Sequence, residues 1–198
     1  KNIYVSSNIG RDKSAIVEYD LAAKKEIKEI YSNPNFDVDG LSFSAKRKVL
    51  TMANFTSWKA EHHFLDKETE ADYKKMGDKF NGYEISIYGN NNAEDKFVVW
   101  TGNDKVAAKY YFYDKATGET KFLAEAFPWL KEGDMASMKP IEYKSRDGLT
   151  IHGYLTLPKG YEAKNLPVVI NPHGGPWARD DWGFNPEAQM FANRGYAV

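Results

Sequence analysis

Two short landmarks recur along this chain in step with each other, and that periodicity constrains its fold more than any single residue does. An aromatic or apolar residue followed by aspartate occurs at Tyr19-Asp20, Leu65-Asp66 and Tyr113-Asp114, at steps of 46 and 48 residues. A strand-like run ending in asparagine, Ile3 to Asn8, Val49 to Asn54 and Val98 to Asn103, advances by 46 and 49. Landmarks that move together mark copies of one supersecondary unit, which buries its apolar face against its neighbours. Aromatic residues make up 15% of the chain and gather in short segments bounded by Gly, Asn and Asp, so the unit is built of β-strands. A period in the forties with several short strands predicts β-propeller blades of four strands each; a β-sandwich with accidental periodicity is the alternative. In the third copy strands are expected over 83–88, 96–101, 107–113 and 119–125, with turns at Asn81-Gly82 and from Lys115 to Gly118. In every copy the polar turn after the aspartate should lead into a further strand.

The pattern changes after residue 127. Residues 128–139 read as a connector, because Lys131-Glu132-Gly133-Asp134 breaks any strand. Two alternating runs, 140–145 and 149–158, are joined at Arg146-Asp147-Gly148, which is a hairpin signal. After a polar loop, Leu166 to Ile170 is continuously apolar and is expected to be a strand covered on both faces. Asn171-Pro172-His173-Gly174-Gly175-Pro176 follows, then a helix with Asn185 as its cap, Pro186 at its first position and Gly195 as its stop. A further strand begins at Gly195-Tyr196-Ala197-Val198. Hairpin, strand, glycine loop, helix and strand in that order form the opening of an α/β sheet. Adjacent glycines at the carboxyl end of a strand let backbone approach a ligand, since no Cβ intervenes. A His-Gly-Gly turn in that setting is the oxyanion-hole loop of α/β-hydrolases; an ordinary surface loop is the bland reading. The expected organisation is thus a partial β-propeller of about three blades over 1–127, a connector over 128–139, and the N-terminal part of an α/β-hydrolase domain over 140–198.

The charges nearly cancel, 27 Lys and Arg against 28 Asp and Glu, which favours neither nucleic acid nor an anionic membrane as partner. Cysteine is absent, which rules out disulfides and thiolate zinc sites and leaves cytoplasm and periplasm both open. No apolar run reaches bilayer-spanning length. The chain begins and ends inside strand patterns and is expected to be a piece of a longer protein, truncated before a nucleophile.

Strand repeats running into Ile141 to Leu155, then Pro167 to Ile170, His173-Gly174-Gly175-Pro176 and Arg194 to Val198, resemble the prolyl oligopeptidase family of serine peptidases. The His-Gly-Gly-Pro loop is similar to the acylaminoacyl-peptidase and dipeptidyl-peptidase-like branch, prolyl oligopeptidase itself having an aromatic residue in place of that His. The resemblance implies cleavage of short peptides by a Ser-His-Asp triad beneath a propeller that keeps folded proteins out. It implies a main-chain oxyanion donor at Gly175, with Gly174 as second choice and His173 and Pro176 shaping the loop. The triad falls outside this chain, which should therefore be inactive alone. The nearest internal match to a nucleophile elbow, Gly40-Leu41-Ser42-Phe43-Ser44, lacks the second glycine and lies in a repeat. His62 and His63 are strand neighbours pointing to opposite faces, a poor metal pair. Trp177, Arg179, Asp180, Asp181 and Trp182 line either a substrate entrance or an ordinary surface loop, and Glu61, Glu68 and Glu70 receive no role. The expected partner is an oligopeptide, with no cofactor, metal, nucleic acid or membrane, and with a homo-oligomer of the full-length protein left open. The alternatives are a lipase or carboxylesterase, which shares the loop, and a non-catalytic propeller binding module.

Overall fold

The strand repeat becomes three antiparallel sheets in the computed structural model, which describes residues 1–198. The first sheet contains β1 (Asn2–Ser7), β2 (Ala15–Asp20) and β3 (Lys25–Tyr31); the second contains β4 (Val38–Ser44), β5 (Val49–Thr56) and β6 (Ala60–Phe64). The third contains β7 (Glu84–Asn90), β8 (Lys96–Gly102), β9 (Lys109–Asp114) and β10 (Thr120–Glu125), and its four strands lie where the turn residues place them. The asparagine-ended landmark falls on β1, β5 and β8, and the aspartate landmark closes β2, β6 and β9. Both landmarks therefore mark the second and third strands of the four-stranded pattern that the third sheet displays in full.

The expectation of a strand after every aspartate is corrected in one place: in the second sheet the strand expected after Asp66 is replaced by helix α1 (Lys67–Lys79). The recurring aspartate serves both continuations. Asp20 accepts hydrogen bonds from the Ala22 and Ala23 amides at 2.8 and 3.1 Å, and Asp114 from Ala116 and Thr117 at 2.9 and 3.3 Å. These are turns closed by an aspartate side chain. Asp66 instead accepts from the Thr69 amide at 2.9 Å and the Thr69 hydroxyl at 2.7 Å, the geometry of a helix N-cap. After Asp66 the apolar residues Tyr73, Met76 and Phe80 recur at helical spacing and are buried. Glu68 and Glu70 in the first turn and Lys79 in the last complement the helix dipole. After Asp114, Gly118 takes the left-handed conformation (φ +70°) that returns the chain to a strand, and Lys24 takes the same place after Asp20 with φ +50°.

The chain divides into two compact units, one comprising Lys1–Met76 with Asn92–Glu94, the other Gly77–Asn91 with Asp95–Val198. In the first unit Ile16, Val38, Ala53 and Phe55 form a buried cluster, with Ile30, Tyr31, Phe36 and Leu41 packed against it. Backbone joins β2 to β4 there, as the Val38 amide donates to the Ser14 carbonyl at 3.0 Å. In the second unit Phe97, Val99 and Thr101 alternate inward along β8 and meet Tyr113 of β9, all of them buried.

The 128–139 segment is tied to the third sheet by hydrogen bonds. Glu132, in a 3₁₀ turn over Glu132–Asp134, accepts from the Tyr83 hydroxyl at 2.6 Å and from Asn103 Nδ2 at 3.2 Å. The hydrogen bond to Glu132, with burial second, pushes the Tyr83 phenol up from its ordinary value of 10.0 to about 12. Because the folded phenol holds its proton longer than the unfolded one, this pair stabilises the fold fully below pH 10 and the contribution is lost as pH rises toward 12. One tyrosine should therefore ionise late in an ultraviolet titration; Tyr83→Phe should remove that late phase, and Glu132→Gln should move it down toward the others. A Glu132→Gln curve that superimposes on the parent would show the contact to be absent in solution.

Beyond the connector, β11 (Met138–Lys144) and β12 (Thr150–Thr156) pair antiparallel, from Met138 opposite Thr156 to Lys144 opposite Thr150. Gly148 turns the hairpin at φ +86°. The continuous strand expected from Leu166 to Ile170 is corrected: it contributes a single parallel bridge, Val168 to Ala197. Val168 and Ile170 are 61% and 81% exposed, so the segment is not covered on both faces as the composition predicts. The last secondary element, α2 (Pro186–Ala192), forms as its punctuation predicts. Asn185 accepts from the Ala188 amide at 2.9 Å and Gly195 follows with φ +88°. No helix is long and apolar enough to cross a membrane.

Candidate functional site

The end of β12, the last residues of the chain and the segment around Val168 are hydrogen-bonded side by side. Thr156 and Val198 exchange both backbone hydrogen bonds at 2.9 Å. On the other side the Ala197 amide donates to the Pro167 carbonyl at 2.9 Å, and the Val169 amide to the Ala197 carbonyl at 2.8 Å. The glycine loop leaves this small platform at Asn171 and returns to it through α2. It is anchored at both ends: Asn171 Nδ2 donates to Glu187 of α2 at 3.2 Å, and the Trp182 indole N–H donates to the Met138 carbonyl at 2.9 Å.

Between these anchors, residues 171–181 are exposed. Gly175 has φ +69°, and an added Cβ at Gly174 or Gly175 would meet nothing within 4 Å. The Gly174 and Gly175 amides make no hydrogen bond to the protein, and the His173 ring lies 3.3 Å from the Gly174 carbonyl through Nδ1. The loop thus offers unclaimed backbone donors to solvent. Trp177 is 97% exposed, whereas Arg179 reaches the Tyr154 hydroxyl at 3.0 Å and Asp181 at 3.4 Å. A recess of about 500 Å³ opens elsewhere, lined by Asp134, Lys159, Tyr161, Gln189 and Asn193 and not by the loop.

The other candidate residues are structural. Ser42 lies within the β4–β5 ladder opposite Met52, with no turn beside it. His62 shares a 2.8 Å hydrogen bond with Asn54 and meets the Tyr73 ring edge-on, while His63 stacks on Tyr31 at 3.9 Å. The two imidazoles therefore face apart, and burial holds His62 below its ordinary value. Glu68 pairs with Arg47 at 3.4 Å and Glu61 accepts from the Ser57 hydroxyl. No group of three or more His, Asp or Glu side chains is placed to hold a metal.

Sequence reasoning missed one residue that organises this region. Gln189 is a polar residue on α2 between the apolar Ala188 and Ala192, yet it is buried and spans three backbone groups. Its Oε1 accepts from the Ala136 amide at 2.8 Å, and its Nε2 donates to the Ala136 carbonyl at 2.8 Å and to the Asp104 carbonyl at 2.9 Å. The available signal was a glutamine on the same helical face as the apolar residues.

No protein-family model matches the chain. Among curated proteins it is 29% identical to dipeptidyl aminopeptidase BIII of Pseudoxanthomonas mexicana over all of its own length and 30% of that relative's. Among solved structures it is similar to a puromycin-hydrolysing peptidase of Mycobacterium tuberculosis, with a TM-score of 0.68 and 18% identity over the whole chain and 31% of that protein. Prolyl oligopeptidase B of Galerina marginata matches with the same TM-score, 0.68, at 16% identity, covering 29% of its length. At these identities the structural likeness concerns the fold. The chain spans about a third or less of each protein it matches.

Proposed function

We propose that this chain is the junction of a longer serine peptidase of the prolyl oligopeptidase family acting on short peptides. Residues 1–127 supply propeller blades, 128–139 the connector, and 140–198 the start of an α/β-hydrolase domain. The observation that carries this reading is the similarity to a dipeptidyl aminopeptidase along the entire chain, glycine loop included. The parallel bridge at Val168 and the capped helix that follows the loop are consistent with the opening of a hydrolase sheet.

In this reading a serine elsewhere in the polypeptide attacks the peptide carbonyl, a histidine takes its proton, and the carbonyl oxygen becomes an anion in the tetrahedral intermediate. The Gly175 N–H donates to that oxygen, with Gly174 as the alternative donor. His173 and Pro176 hold the loop's shape. Collapse of the intermediate breaks the C–N bond as the histidine passes its proton to the departing amine, leaving an acyl-enzyme that water hydrolyses.

The test is turnover of dipeptidyl and N-acylaminoacyl chromogenic substrates by the full-length protein. Release of chromophore that an organophosphonate abolishes is the expected result, with the 198-residue chain inactive beside it. Hydrolysis of simple acyl esters without any peptide substrate would move the assignment to an esterase. Phosphonate-sensitive turnover by the isolated chain would refute the placement of the nucleophile.

A further inference from the structure

We propose that Gln189 is the positioning residue of the oxyanion loop, acting as a clamp that fixes α2 to the connector and to the loop between β8 and β9. The inference rests on the acyl-transfer reading for what the loop does, but the clamp itself stands on geometry. The Gln189 amide is buried and makes three hydrogen bonds, two to the backbone of Ala136 and one to the carbonyl of Asp104. It thereby pairs with Ala136 as a neighbouring strand would, donating to the carbonyl and accepting from the amide of one residue. Asp104 holds the same connector a second time, as its Oδ2 accepts from the Met138 amide at 2.8 Å. Met138 in turn accepts the Trp182 indole hydrogen bond at the far end of the glycine loop.

These contacts form a closed circuit. The loop begins at Asn171, which is bonded to Glu187 on α2. Two residues further along α2, Gln189 grips Ala136, and Met138 beside it grips Trp182 where the loop ends. Between the anchors the residues are exposed and the loop is tied back at Arg179, which donates to the Tyr154 hydroxyl at 3.0 Å, so the direction of the Gly174 and Gly175 amides follows from where these attachment points sit. Helix α2 is seven residues long, too short to hold a position by its own hydrogen bonds. Removing Gln189 leaves the buried amide and carbonyl of Ala136 and the half-buried carbonyl of Asp104 without this partner, and the connector and α2 separate.

The experiment uses the full-length protein and two variants, Gln189→Ala and Gln189→Glu. Hydrogen exchange at Ala136, at Met138 and at Asn193 of the α2 end, whose amides are hydrogen-bonded in the parent, should speed up in Gln189→Ala while exchange in β8 and β9 stays as it was. In the peptidase assay kcat should fall roughly tenfold, with KM nearly unchanged, because a displaced donor is missed mainly in the transition state. Gln189→Glu separates a clamp from a general loss of fold. Its carboxylate accepts but cannot donate, whereas its protonated form can donate one hydrogen bond. The ratio of variant to parent kcat should therefore rise as pH falls through the carboxyl's titration. Unchanged exchange in Gln189→Ala, or a flat ratio in Gln189→Glu, would overturn the clamp. Faster exchange in a protein whose parent form has no phosphonate-sensitive activity would keep the clamp and sink the acyl-transfer reading instead.

Discussion

If the proposed acyl transfer holds, replacing Gly175 by alanine in the full-length protein should lower kcat by about 10²-fold or more and leave KM within a small factor. The reason lies in the backbone. Gly175 sits at φ +69°, where an L-residue with a Cβ is disfavoured by about 1 kcal/mol or more. The surrounding residues are exposed and hold nothing that would force alanine to stay there. The peptide unit is therefore expected to swing to negative φ and take its N–H off the line of the acyl oxygen. That oxygen carries full negative charge only in the tetrahedral intermediate, so the loss falls on the transition state and not on binding. Gly174→Ala is the internal comparison. Gly174 is not in the left-handed region, and a Cβ there meets nothing within 4 Å, so this change should cost far less. Equal kcat for Gly175→Ala and the parent would remove the oxyanion role from Gly175 and leave Gly174 as the loop's remaining donor. A loss of similar size in both variants would point to a general need for loop flexibility.

The second large effect concerns stability. Ile16 is 2% exposed in β2 and lies in the cluster with Val38, Ala53 and Phe55 that packs the first sheet on the second. Ile16→Ala should destabilise by about 3 kcal/mol, the sum of lost apolar burial and a cavity that β-sheet backbone relaxes only partly to fill. Ile27 provides the control. It is the same residue type on β3 but 44% exposed, and Ile27→Ala should change stability by about 0.5 kcal/mol or less. Urea unfolding of both variants reads the difference directly. Similar midpoints would mean that the two sheets do not share this core.

How much of this was legible in the sequence can be seen in the three copies of the aspartate landmark. Asp20, Asp66 and Asp114 stand out by spacing as landmarks ahead of a polar turn, and at Asp20 and Asp114 the short acceptor side chain does close that turn. The strands of the third sheet were placed to within a few residues for the same local reason. The helix after Asp66 was missed although its signals were present: an N-capping aspartate, acidic residues in the first turn, and Tyr73, Met76 and Phe80 at helical spacing. The strand period of the flanking copies outweighed them. In the second half, the hairpin at Gly148 and the capped helix α2 were legible because turns and caps are satisfied by residues close in sequence.

The sequence by itself determined the repeat, the turns, the caps and the glycine loop, all of which depend on contacts a few residues apart. Tertiary structure alone decided the rest. The apolar run from Leu166 to Ile170 had the composition of a buried strand, but a strand exists only where another strand meets its backbone, and here one bridge at Val168 does so. Gln189 looked like any polar residue on a short helix, and its importance comes from Ala136 and Asp104, 53 and 85 residues away along the chain. Hydrogen bonds across such distances leave no period or local pattern to read, since nothing in the spacing of a sequence records which buried amide will need a partner until the chain has folded around it.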